Sequence, residues 1–403
     1  MSLSKISEKF VLNKLKSITR GNLKLVNYDG KVYHFGDLED SFTADIKIIN
    51  SNFYLNIILG GSSALGEAHI NKDFYSTNLT DLIELTARNI KLIYSFSGSV
   101  RLQKIKNILK RIFASNTKSN SLEYISKHYD LGNDFFSNWL DKTLTYSSAI
   151  YENDNDDLET AQKNKYQKLI DLLHLKDGNK ILEIGCGWGG AGRYYAKKFG
   201  CQVHGITLSQ NQLNYCKEKA REQKLDNFLS YELCDYREVK GTWKKIYNIG
   251  FYEHISPKFY KTFWNQIKNL LTDDGICLTH SICSVNQPSP SNPFITKYIF
   301  PGGKVPTTSQ ITQNIENAGL IISGWEAYID MYNRTLDIWR QRFLKNADKA
   351  KRKYGADFVR LWDFYLSSCS AAFKYADLLV YQIETVKNFT SVPYRTRDRI
   401  YNN

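Results

Sequence analysis

The sequence has few of the features that mark a disulfide-stapled, low-complexity or membrane-spanning chain. Its 7 cysteines are scattered with no pair at CxxC spacing, a pattern that predicts neither a zinc site nor a disulfide framework. Only 7 prolines occur in 403 residues, and no repeat or low-complexity tract is visible. No apolar run approaches the ~18 residues that a membrane span requires. These absences favour an ordinary globular protein, and any contact with lipid is expected to be peripheral.

The amino terminus and the charge balance indicate where the chain works. The run MSLSKISEKFVLNKL carries charges where a signal peptide needs an apolar core, so we expect a cytoplasmic protein. The chain has 54 Lys and Arg against 41 Asp and Glu, a formal charge of +13. This excess favours nucleic acid or an anionic membrane surface as partner, although a solubilising surface has the same composition. No nucleic-acid-binding module is visible, so we expect no nucleic-acid partner.

Changes of pattern along the chain predict three parts. Residues 1–100 have the pattern of a small α+β domain. Its predicted elements are a hairpin, two further strands and a helix, at 23–26 with 32–35, 44–49, 53–59 and 81–88. A basic amphipathic stretch at 101–113 fits either a helix lying on an anionic membrane or a linker helix packed against a domain. We therefore expect a basic helical linker at 101–125.

From residue 126 to residue 403 the pattern alternates between helices and strands. The predicted elements are helices at 158–175, 191–199 and 209–223 and strands at 180–184, 203–206, 246–250 and 276–280. Such alternation implies a parallel sheet covered on both faces by helices. The predicted fold class is therefore α/β, a doubly wound Rossmann-like domain preceded by the smaller α+β domain.

A glycine-rich turn follows the first strand of the larger domain. The run ILEIGCGWGG places Gly185, Gly187 and Gly189 where the strand meets the next helix, so a ligand can approach the backbone there. Glycine also makes such turns for purely structural reasons. Glu183 before the glycines and Trp188 among them favour S-adenosylmethionine (AdoMet) over a dinucleotide.

Residues after the next two strands extend this predicted site. The acid that usually binds a ribose after the second strand is missing from GITLSQNQ, so Thr207, Leu208 and Gln212 would act with neutral groups. Asp235 follows the expected third strand. Its carboxylate either receives the adenine amino group or serves only as an N-cap or turn residue.

These motifs and their neighbours resemble the cyclopropane-fatty-acyl-phospholipid synthase family, which includes the mycolic acid cyclopropane synthases. The matching stretches are YDLGNDFF (129–136), TYSSAIY (145–151), ILEIGCGWGG (181–190), GITLSQNQ (205–212), DYRE (235–238), GFYEHI (250–255), HSI (280–282), KYIFPGG (297–303), YNRTL (332–336) and WDFYLSSCSAAF (362–373). The N-terminal run ILGGSSALGEAHI is similar to the sterol-carrier-like lipid-binding domain that precedes the catalytic domain in the bacterial phospholipid enzymes.

The resemblance implies an enzyme that transfers a methylene group from AdoMet to cis double bonds of acyl chains in membrane phospholipids. The positions matching AdoMet contacts are Tyr146, Ser147, Gly185, Gly187, Thr207, Leu208, Gln212 and Asp235. Those matching a bicarbonate site are Glu253, His280, Tyr332 and, through its backbone, Ile282. Ser148 stands where that set usually has a cysteine. The resemblance also implies a homodimer that contacts the inner face of the cell membrane peripherally.

The implied chemistry suits these residue types. Attack of an alkene on the AdoMet methyl leaves a carbocation on the lipid, and a base that removes a methyl proton closes the ring. We expect Glu253 to accept the O–H of bicarbonate while Tyr332, His280 and backbone amides bind its other oxygens. Ser148 cannot act as a thiol nucleophile, but this route needs none. Otherwise the cation loses a proton without closing the ring, giving a methyl- or methylene-branched product.

Other readings share parts of the pattern. Some plant alkaloid N-methyltransferases resemble the same family, but they need neither bicarbonate nor a lipid-binding domain. A non-catalytic lipid-binding protein would not need the intact glycines or Glu253. The aromatic residues between Tyr247 and Phe300 either line a pocket that stabilises cations or fill an ordinary core.

Overall fold

The computed structural model of the chain describes residues 3–60, 63–89, 131–285 and 292–391. These residues divide into two units. The first contains the described residues up to 89, with 292–301 and 333–378; the second contains 131–285, 302–332 and 379–391. This grouping differs from the expected division, because 292–301 and 333–378 were assigned to the catalytic domain of 126–403. The expected linker at 101–125 lies outside the described residues.

The elements are numbered here in chain order. The helices are α1 (Leu3–Leu15), α2 (Asn52–Gly60), α3 (Ala64–Ile70), α4 (Leu79–Arg88), α5 (Asn133–Ser137), α6 (Leu158–Leu173), α7 (Gly190–Phe199), α8 (Gln210–Glu222), α9 (Tyr260–Leu270), α10 (Pro293–Tyr298), α11 (Thr308–Asn317), α12 (Met331–Lys345), α13 (Ala347–Tyr354) and α14 (Ala356–Tyr375). The strands are β1 (Asn22–Val26), β2 (Val32–Gly36), β3 (Thr43–Ile48), β4 (Phe74–Tyr75), β5 (Lys180–Ile184), β6 (Gln202–Thr207), β7 (Leu229–Leu233), β8 (Trp243–Ile249), β9 (Leu271–Ser284), β10 (Ile321–Tyr328) and β11 (Leu378–Val386). Short 3₁₀ helices lie at Tyr252–His254, Pro257–Phe259 and Phe389–Ser391.

The first unit is built on a four-stranded sheet in the order β2-β1-β3-β4. β1 and β2 form the predicted antiparallel hairpin, and Gly30 makes its turn with a φ of +84°. β3 pairs in parallel with β1, and β4 pairs antiparallel with β3. The prediction of a strand at 53–59 is wrong, because this apolar run forms α2; periodicity alone does not separate a short buried strand from a buried helix.

Distant parts of the chain pack together inside the first unit. A Cβ added at Gly66 in α3 would lie 2.4 Å from the ring of Phe294, so this helix approaches the ring through a position without a side chain. Glu84 in α4 is buried and accepts hydrogen bonds from Lys374 at 3.1 Å and from Tyr375 at 2.6 Å. These contacts explain why segments near residues 294 and 374 belong to this unit.

The second unit contains a seven-stranded sheet in the order β10-β11-β9-β8-β5-β6-β7. β5 pairs in parallel with both β6 and β8, which continue in parallel to β7 and β9; β10 pairs antiparallel with β11. The strand order therefore reverses at β5. In doubly wound sheets, ligands bind beyond the carboxyl ends of the strands at such a switch point.

Alternate residues of the central strand enter two different cores. Ile181 of β5 packs with residues of α6, α7 and α8, whereas Leu182 packs with residues of α9 and α11. Successive side chains of a strand point to opposite faces, so helices cover both faces of this sheet. Both side chains are fully buried, and each such burial contributes about 1.5–3 kcal/mol. The predicted α/β doubly wound fold is confirmed.

The described residues contain no helix that is both long enough and apolar enough to cross a bilayer. Helix boundaries in the second unit follow from capping. The predicted helix at 209–223 begins one residue later, because the Ser209 hydroxyl caps it and accepts from the Gln212 N–H at 3.3 Å. The helix predicted at 158–175 ends at Leu173, where His174 adopts a left-handed conformation.

Candidate active site

A cavity opens beside the carboxyl ends of β5, β6 and β8 in the second unit, at the switch point of the sheet. Its walls come from the segment before α6, the turn after β5, the end of β6, the first turn of α8 and the turns after β7 and β8. Of the predicted AdoMet positions, those that line it are Tyr146, Ser147, Gly185, Gly187, Thr207, Leu208 and Gln212. The structure therefore brings together residues that are up to 66 positions apart in the sequence.

The glycine turn after β5 leaves room beside the backbone. Gly185 and Gly187 have φ values of +79° and +54°, in the region that residues with side chains disfavour. A Cβ added at Gly185 would lie 2.6 Å from the ring of Phe251, whereas one added at Gly187 would meet no atom within 4 Å. Because Gly187 lines the cavity, a ligand can approach its backbone closely.

Aromatic contacts hold the segment before α6 against this turn. The Trp188 indole N–H donates to Asn133 at 2.7 Å, and its ring centroid lies 4.8 Å from that of Phe136. Phe136 also contacts Tyr146, with 5.6 Å between ring centroids. The YDLGNDFF motif therefore supports both the glycine turn and the TYSSAIY motif.

A strained turn brings Tyr146 and Ser147 to the cavity. Leu144 has a φ of +58°, a conformation that costs a residue with a side chain about 1–2 kcal/mol. Asp141 is buried, and its carboxylate accepts from the backbone N–H groups of Thr143 and Thr145, both at 2.8 Å. These charge-assisted hydrogen bonds stabilise the turn in its strained conformation.

The β6 side of the cavity presents neutral polar groups. The Thr207 hydroxyl donates to the side-chain oxygen of Gln212 at 2.8 Å, and both side chains are buried. The same Thr207 oxygen accepts from the Ser209 N–H at 3.1 Å. This arrangement is compatible with the neutral ribose-binding role that we predict for these residues.

Asp235 lies two residues beyond β7, and its carboxylate contacts Arg237. It accepts from the Arg237 backbone N–H at 3.0 Å and from the guanidinium at 2.6 and 2.7 Å. Its neighbours Cys234 and Tyr236 line the cavity, whereas Asp235 is not among the lining residues. The backbone contact is that of a turn residue, so the adenine-binding role of Asp235 stays a prediction.

Glu183, at the end of β5, is a buried acid in the wall of the cavity. Burial raises the pKa of its carboxyl to about 8. A hydrogen bond from the Tyr247 hydroxyl lowers the pKa against this effect. The carboxyl is therefore protonated near neutral pH and can donate as well as accept a hydrogen bond.

A second set of polar groups lies beyond β8 and β9. Glu253 is 8% exposed and accepts from the Ser281 hydroxyl at 3.0 Å and, at a long 3.5 Å, from the Ile282 N–H. Burial raises the pKa of Glu253 to about 7. A Cβ added at Gly250 would lie 3.8 Å from the Glu253 carboxylate and 3.7 Å from Ser147. Glu253 is not itself a lining residue, but its carboxylate lies beside Gly250, which lines the cavity.

His280 on β9 is buried and directly precedes Ser281 and Ile282, which contact the Glu253 carboxylate. Its Nδ1 atom lies 3.2 Å from the amide nitrogen of Gln382, and its carbonyl accepts from the Gly250 N–H at 2.9 Å. Burial lowers the pKa of His280 well below its usual value, and the Lys165 cation lowers it further. We assign a neutral imidazole whose Nδ1 accepts from Gln382, so that Nε2 carries the proton and can donate.

The remaining members of the predicted catalytic set are Ser148 and Tyr332. Ser148 is buried, and its hydroxyl donates to the carbonyl of Ala149 at 3.1 Å. Tyr332 is 9% exposed in the first turn of α12. The N–H of Tyr151 contacts the sulfur of Met331 at 3.3 Å, so the TYSSAIY motif lies beside the start of that helix.

Two groups of site residues are missing from the predicted set. Phe251 and His254 line the cavity, and burial lowers the pKa of His254 to about 4; both belong to the GFYEHI motif, of which only Glu253 was selected. On α6, Lys165 donates to the Ser147 hydroxyl oxygen at 2.6 Å, and a neighbouring glutamine donates to the Ser147 carbonyl at 3.0 Å. Polar residues on the apolar face of an amphipathic helix were the available signal.

The aromatic residues after β8 divide between cavity and core. Phe251 lines the cavity, and Tyr236 lies beside it with ring centroids 5.7 Å apart. Tyr252, Phe263 and Trp264 are fully buried and pack with α9 against the sheet. Most of these rings therefore fill the core, and a few are placed to contact a ligand.

A doubly wound sheet, a glycine turn at its switch point and neutral polar groups after the second strand together define the class of AdoMet-dependent methyltransferases. The profile described as mycolic acid cyclopropane synthetase matches residues 116–383, and the chain belongs to this family. It is 32% identical over 349 residues to the cyclopropane-fatty-acyl-phospholipid synthase of Escherichia coli (strain K12), with 86% of this chain and 88% of that chain covered.

Two further relatives agree with this placement. A probable fatty acid methyltransferase of Pseudomonas putida is 30% identical over 298 residues, covering 71% of this chain and 75% of its own. The chain also matches the crystal structure of mycolic acid cyclopropane synthase CmaA1 complexed with SAH and CTAB, with a TM-score of 0.62 and 28% sequence identity. The match covers 66% of this chain and 97% of the CmaA1 chain. The predicted resemblance is confirmed, and the protein is an AdoMet-dependent C-methyltransferase of the cyclopropane synthase type.

Proposed function

We propose that the protein transfers a methylene group from AdoMet to the cis double bond of unsaturated acyl chains in membrane phospholipids, forming cyclopropane fatty acids. The observation that supports this best is the position of the buried Glu253 carboxylate. It lies 3.8 Å from a Cβ added at Gly250, and Ser147 lies 3.7 Å from the same point. The relative in Escherichia coli is named for a fatty-acyl-phospholipid product. A base at the edge of a methyl-donor site is what ring closure requires, because the methyl group must lose a proton.

AdoMet would be held by residues from both sides of the switch point. We assign the ribose to Thr207, Leu208 and Gln212, and the remaining part to Tyr146, Ser147, Gly185 and Gly187, all of which line the cavity. Asp235, next to the lining residues Cys234 and Tyr236, is assigned to the adenine. When bound, AdoMet supplies an electrophilic methyl group. The rings of Tyr146 and Phe251 line the same cavity, and aromatic rings near a sulfonium or a carbocation stabilise the positive charge.

Glu253, His280, Tyr332, Ser148 and the backbone of Ile282 would hold a bicarbonate ion, which supplies a base when bound. Two observations fit such an anion. The Ile282 N–H makes only a long contact of 3.5 Å with Glu253, and the neutral His280 presents an N–H donor. Glu253 would be strained beside a second anion unless they share a proton, so its role is to accept the anion's own O–H. His280 and the Ile282 amide then orient the ion by donation.

Ser148, in place of the usual cysteine, raises the question of which of two products the enzyme forms. Its hydroxyl donates to the Ala149 carbonyl, so a contact from position 148 to an anion would use the backbone N–H, which is present whatever the side chain. We therefore propose that ring closure survives the replacement of the usual cysteine. The alternative product is a methyl- or methylene-branched fatty acid, and the name of the Pseudomonas putida relative is compatible with it.

We propose that the N-terminal domain of residues 1–100 binds lipid and that the enzyme works as a homodimer at the inner face of the cell membrane. The formal charge of +13 favours peripheral contact with an anionic surface. The 349 residues aligned with the Escherichia coli phospholipid enzyme exceed the whole stretch from 116 to 403, so the likeness includes N-terminal residues. Because the N-terminal domain is included in the likeness to a phospholipid enzyme, we assign lipid binding to it.

Proton NMR of lipids from cells that express the protein tests the proposal. We expect high-field signals from a ring methylene, absent from cells that carry the empty vector or the Glu253→Gln variant. Vinylidene signals in place of the ring signals would show that the product is methylene-branched and not a cyclopropane. Unchanged lipids, with methylated small amines instead, would support an N-methyltransferase and reject the proposal. Mass alone is insufficient, because cyclopropane and methylene-branched chains have the same added mass.

A further inference from the structure

Lys165 is a buried cation directly behind the cavity wall. Its side chain on α6 is fully buried, and its ammonium donates to the Ser147 hydroxyl oxygen at 2.6 Å. No described residue forms an ion pair with it. Removing an ammonium from water is costly unless a compensating charge is supplied, so this position is incompletely balanced.

The groups around Lys165 do not supply that balance. Burial lowers the pKa of Lys165 to about 7, against the opposing field of Asp141 from the segment before α6. His280 on β9 is neutral, and the ring centroid of Tyr166 lies 5.8 Å from the ammonium. An anion bound near Ser147 would stabilise the charged form of this lysine.

The hydrogen bond to Lys165 also sets the direction of the Ser147 hydroxyl. In its charged form Lys165 can only donate, so the Ser147 oxygen then accepts and its own O–H must point to another acceptor. Ser147 lines the cavity and its backbone carbonyl is already bound by Gln162. The hydroxyl is therefore prepared to donate to a ligand, and the cation behind it favours a ligand group with negative charge.

AdoMet has one carboxylate, on its amino-acid part, and no other formal negative charge. We propose that Lys165 is a positioning residue that, through Ser147, makes this wall of the cavity selective for the AdoMet carboxylate. Ser147 and the Glu253 carboxylate both lie within 4 Å of a Cβ added at Gly250, so an amino-acid part anchored at Ser147 would lie near Glu253. This inference rests on the proposed binding of AdoMet in the cavity.

The test compares two ligands that differ only in the carboxylate. S-adenosylhomocysteine and its decarboxylated form, which keeps the amine, are titrated by calorimetry at pH 8 into the full-length protein and its Lys165→Met and Lys163→Met variants. We expect Lys165→Met to weaken S-adenosylhomocysteine about tenfold, a typical loss for a charged hydrogen bond, and the decarboxylated ligand less than about twofold. Lys163 is exposed on the same helix, so its substitution should change neither affinity.

Proton uptake gives a second readout that a merely structural lysine would not affect. Because the carboxylate raises the pKa of Lys165, binding of S-adenosylhomocysteine at pH 8 should take up protons. This uptake is measured by repeating the titration in buffers of different ionisation heats. It should be lost in Lys165→Met and absent for the decarboxylated ligand.

Equal weakening of both ligands by Lys165→Met, or no weakening of either, overturns the inference. A wild-type protein that binds neither ligand rejects the proposed AdoMet site instead, so the two failures are distinguishable. If Lys165→Met does not fold by thermal unfolding, Ser147→Ala decides the question. Selective loss of S-adenosylhomocysteine in that variant supports the inference, and an equal loss of both ligands rejects it.

Discussion

The two sides of the cavity are built on different physical principles. On the side of β6 and β7, Thr207 and Gln212 are neutral side chains that hydrogen-bond each other. On the side of β8 and β9, Glu253 and His280 are ionisable, and burial displaces the pKa of both. The first side offers shape and neutral contacts, whereas the second has ionisable groups whose charged forms are disfavoured by burial.

This contrast separates binding from chemistry. Buried ionisable groups without full partners destabilise a fold, so their concentration at one edge of a cavity marks the place where charge is used. Neutral groups carry no such cost and suit a ligand that is only held. We therefore expect changes on the β8 side to affect turnover and pH dependence, and changes at the glycine turn to affect affinity.

The largest effect is expected at Glu253. Glu253→Gln keeps the size of the side chain and removes its ability to take a proton, so kcat should fall about 10²- to 10⁴-fold. Affinity for S-adenosylhomocysteine, measured by calorimetry, should stay within about twofold because binding relies on the other side of the cavity. Glu222→Gln, on the exposed surface of α8, is the control. Parallel losses in turnover and affinity would erase the distinction between the two sides.

The carboxyl group of Glu253 should also make the free energy of unfolding depend on pH. Its pKa is raised from 4.5 to about 7, so the native state keeps a proton that the unfolded state releases. Stability from this group is therefore highest below about pH 4.5 and falls as the pH rises to about 7, by about 3 kcal/mol in all. Denaturant unfolding from pH 4 to 8 should show this fall in the wild type and a flatter profile in Glu253→Gln. Identical profiles would mean that the carboxyl is not buried as described.

The glycine turn should respond in affinity. Gly187→Ala adds a Cβ at a left-handed position in the cavity wall, and we expect S-adenosylhomocysteine to bind about tenfold more weakly. Gly178 is a matched control, since it has a φ of +74° and, like Gly187, no atom within 4 Å of an added Cβ, but it lies outside the cavity. Both substitutions should cost about 1–2 kcal/mol of stability. An equal change in affinity for the two variants would show that strain, and not the cavity, is responsible.

The smallest effect is expected at Ser148. Because its hydroxyl donates to the Ala149 carbonyl, Ser148→Ala and Ser148→Cys should change kcat by less than about threefold. The lipid product, identified by proton NMR, should remain a cyclopropane in both variants. A switch from a branched to a cyclic product in Ser148→Cys would instead assign control of the outcome to this side chain.

The sequence predicted the neutral side of the cavity better than the charged side. The strand at 180–184 and the turn at Gly185 and Gly187 are local features, because glycine spacing and a short apolar run determine them. Lys165 was missed since its importance depends on which segment packs against α6, and a contact with Ser147 is not visible in either segment alone. Asp235 shows the same limit: its position after β7 was predicted, but the contact with Arg237 was not.

The predicted domain boundaries have the same limit, because contacts between distant segments are not visible in the sequence. Residues 333–378 follow the second unit's elements along the chain, yet they pack in the first unit through contacts such as Glu84 with Lys374. A boundary read from changes in pattern assumes that each domain is one continuous stretch. Long-range contacts between side chains decide otherwise, and composition does not reveal them.

The central claim is that the Glu253 side of the cavity removes a proton from the transferred methyl group and so closes a ring. The most direct measurement supplies purified enzyme with phospholipid vesicles containing oleoyl chains and AdoMet whose methyl group carries three deuterium atoms, and analyses the lipid by mass spectrometry and proton NMR. We predict a cyclopropane that retains two of the deuterium atoms. A branched methyl group that retains all three would contradict the account, because no base would then have acted on the methyl group.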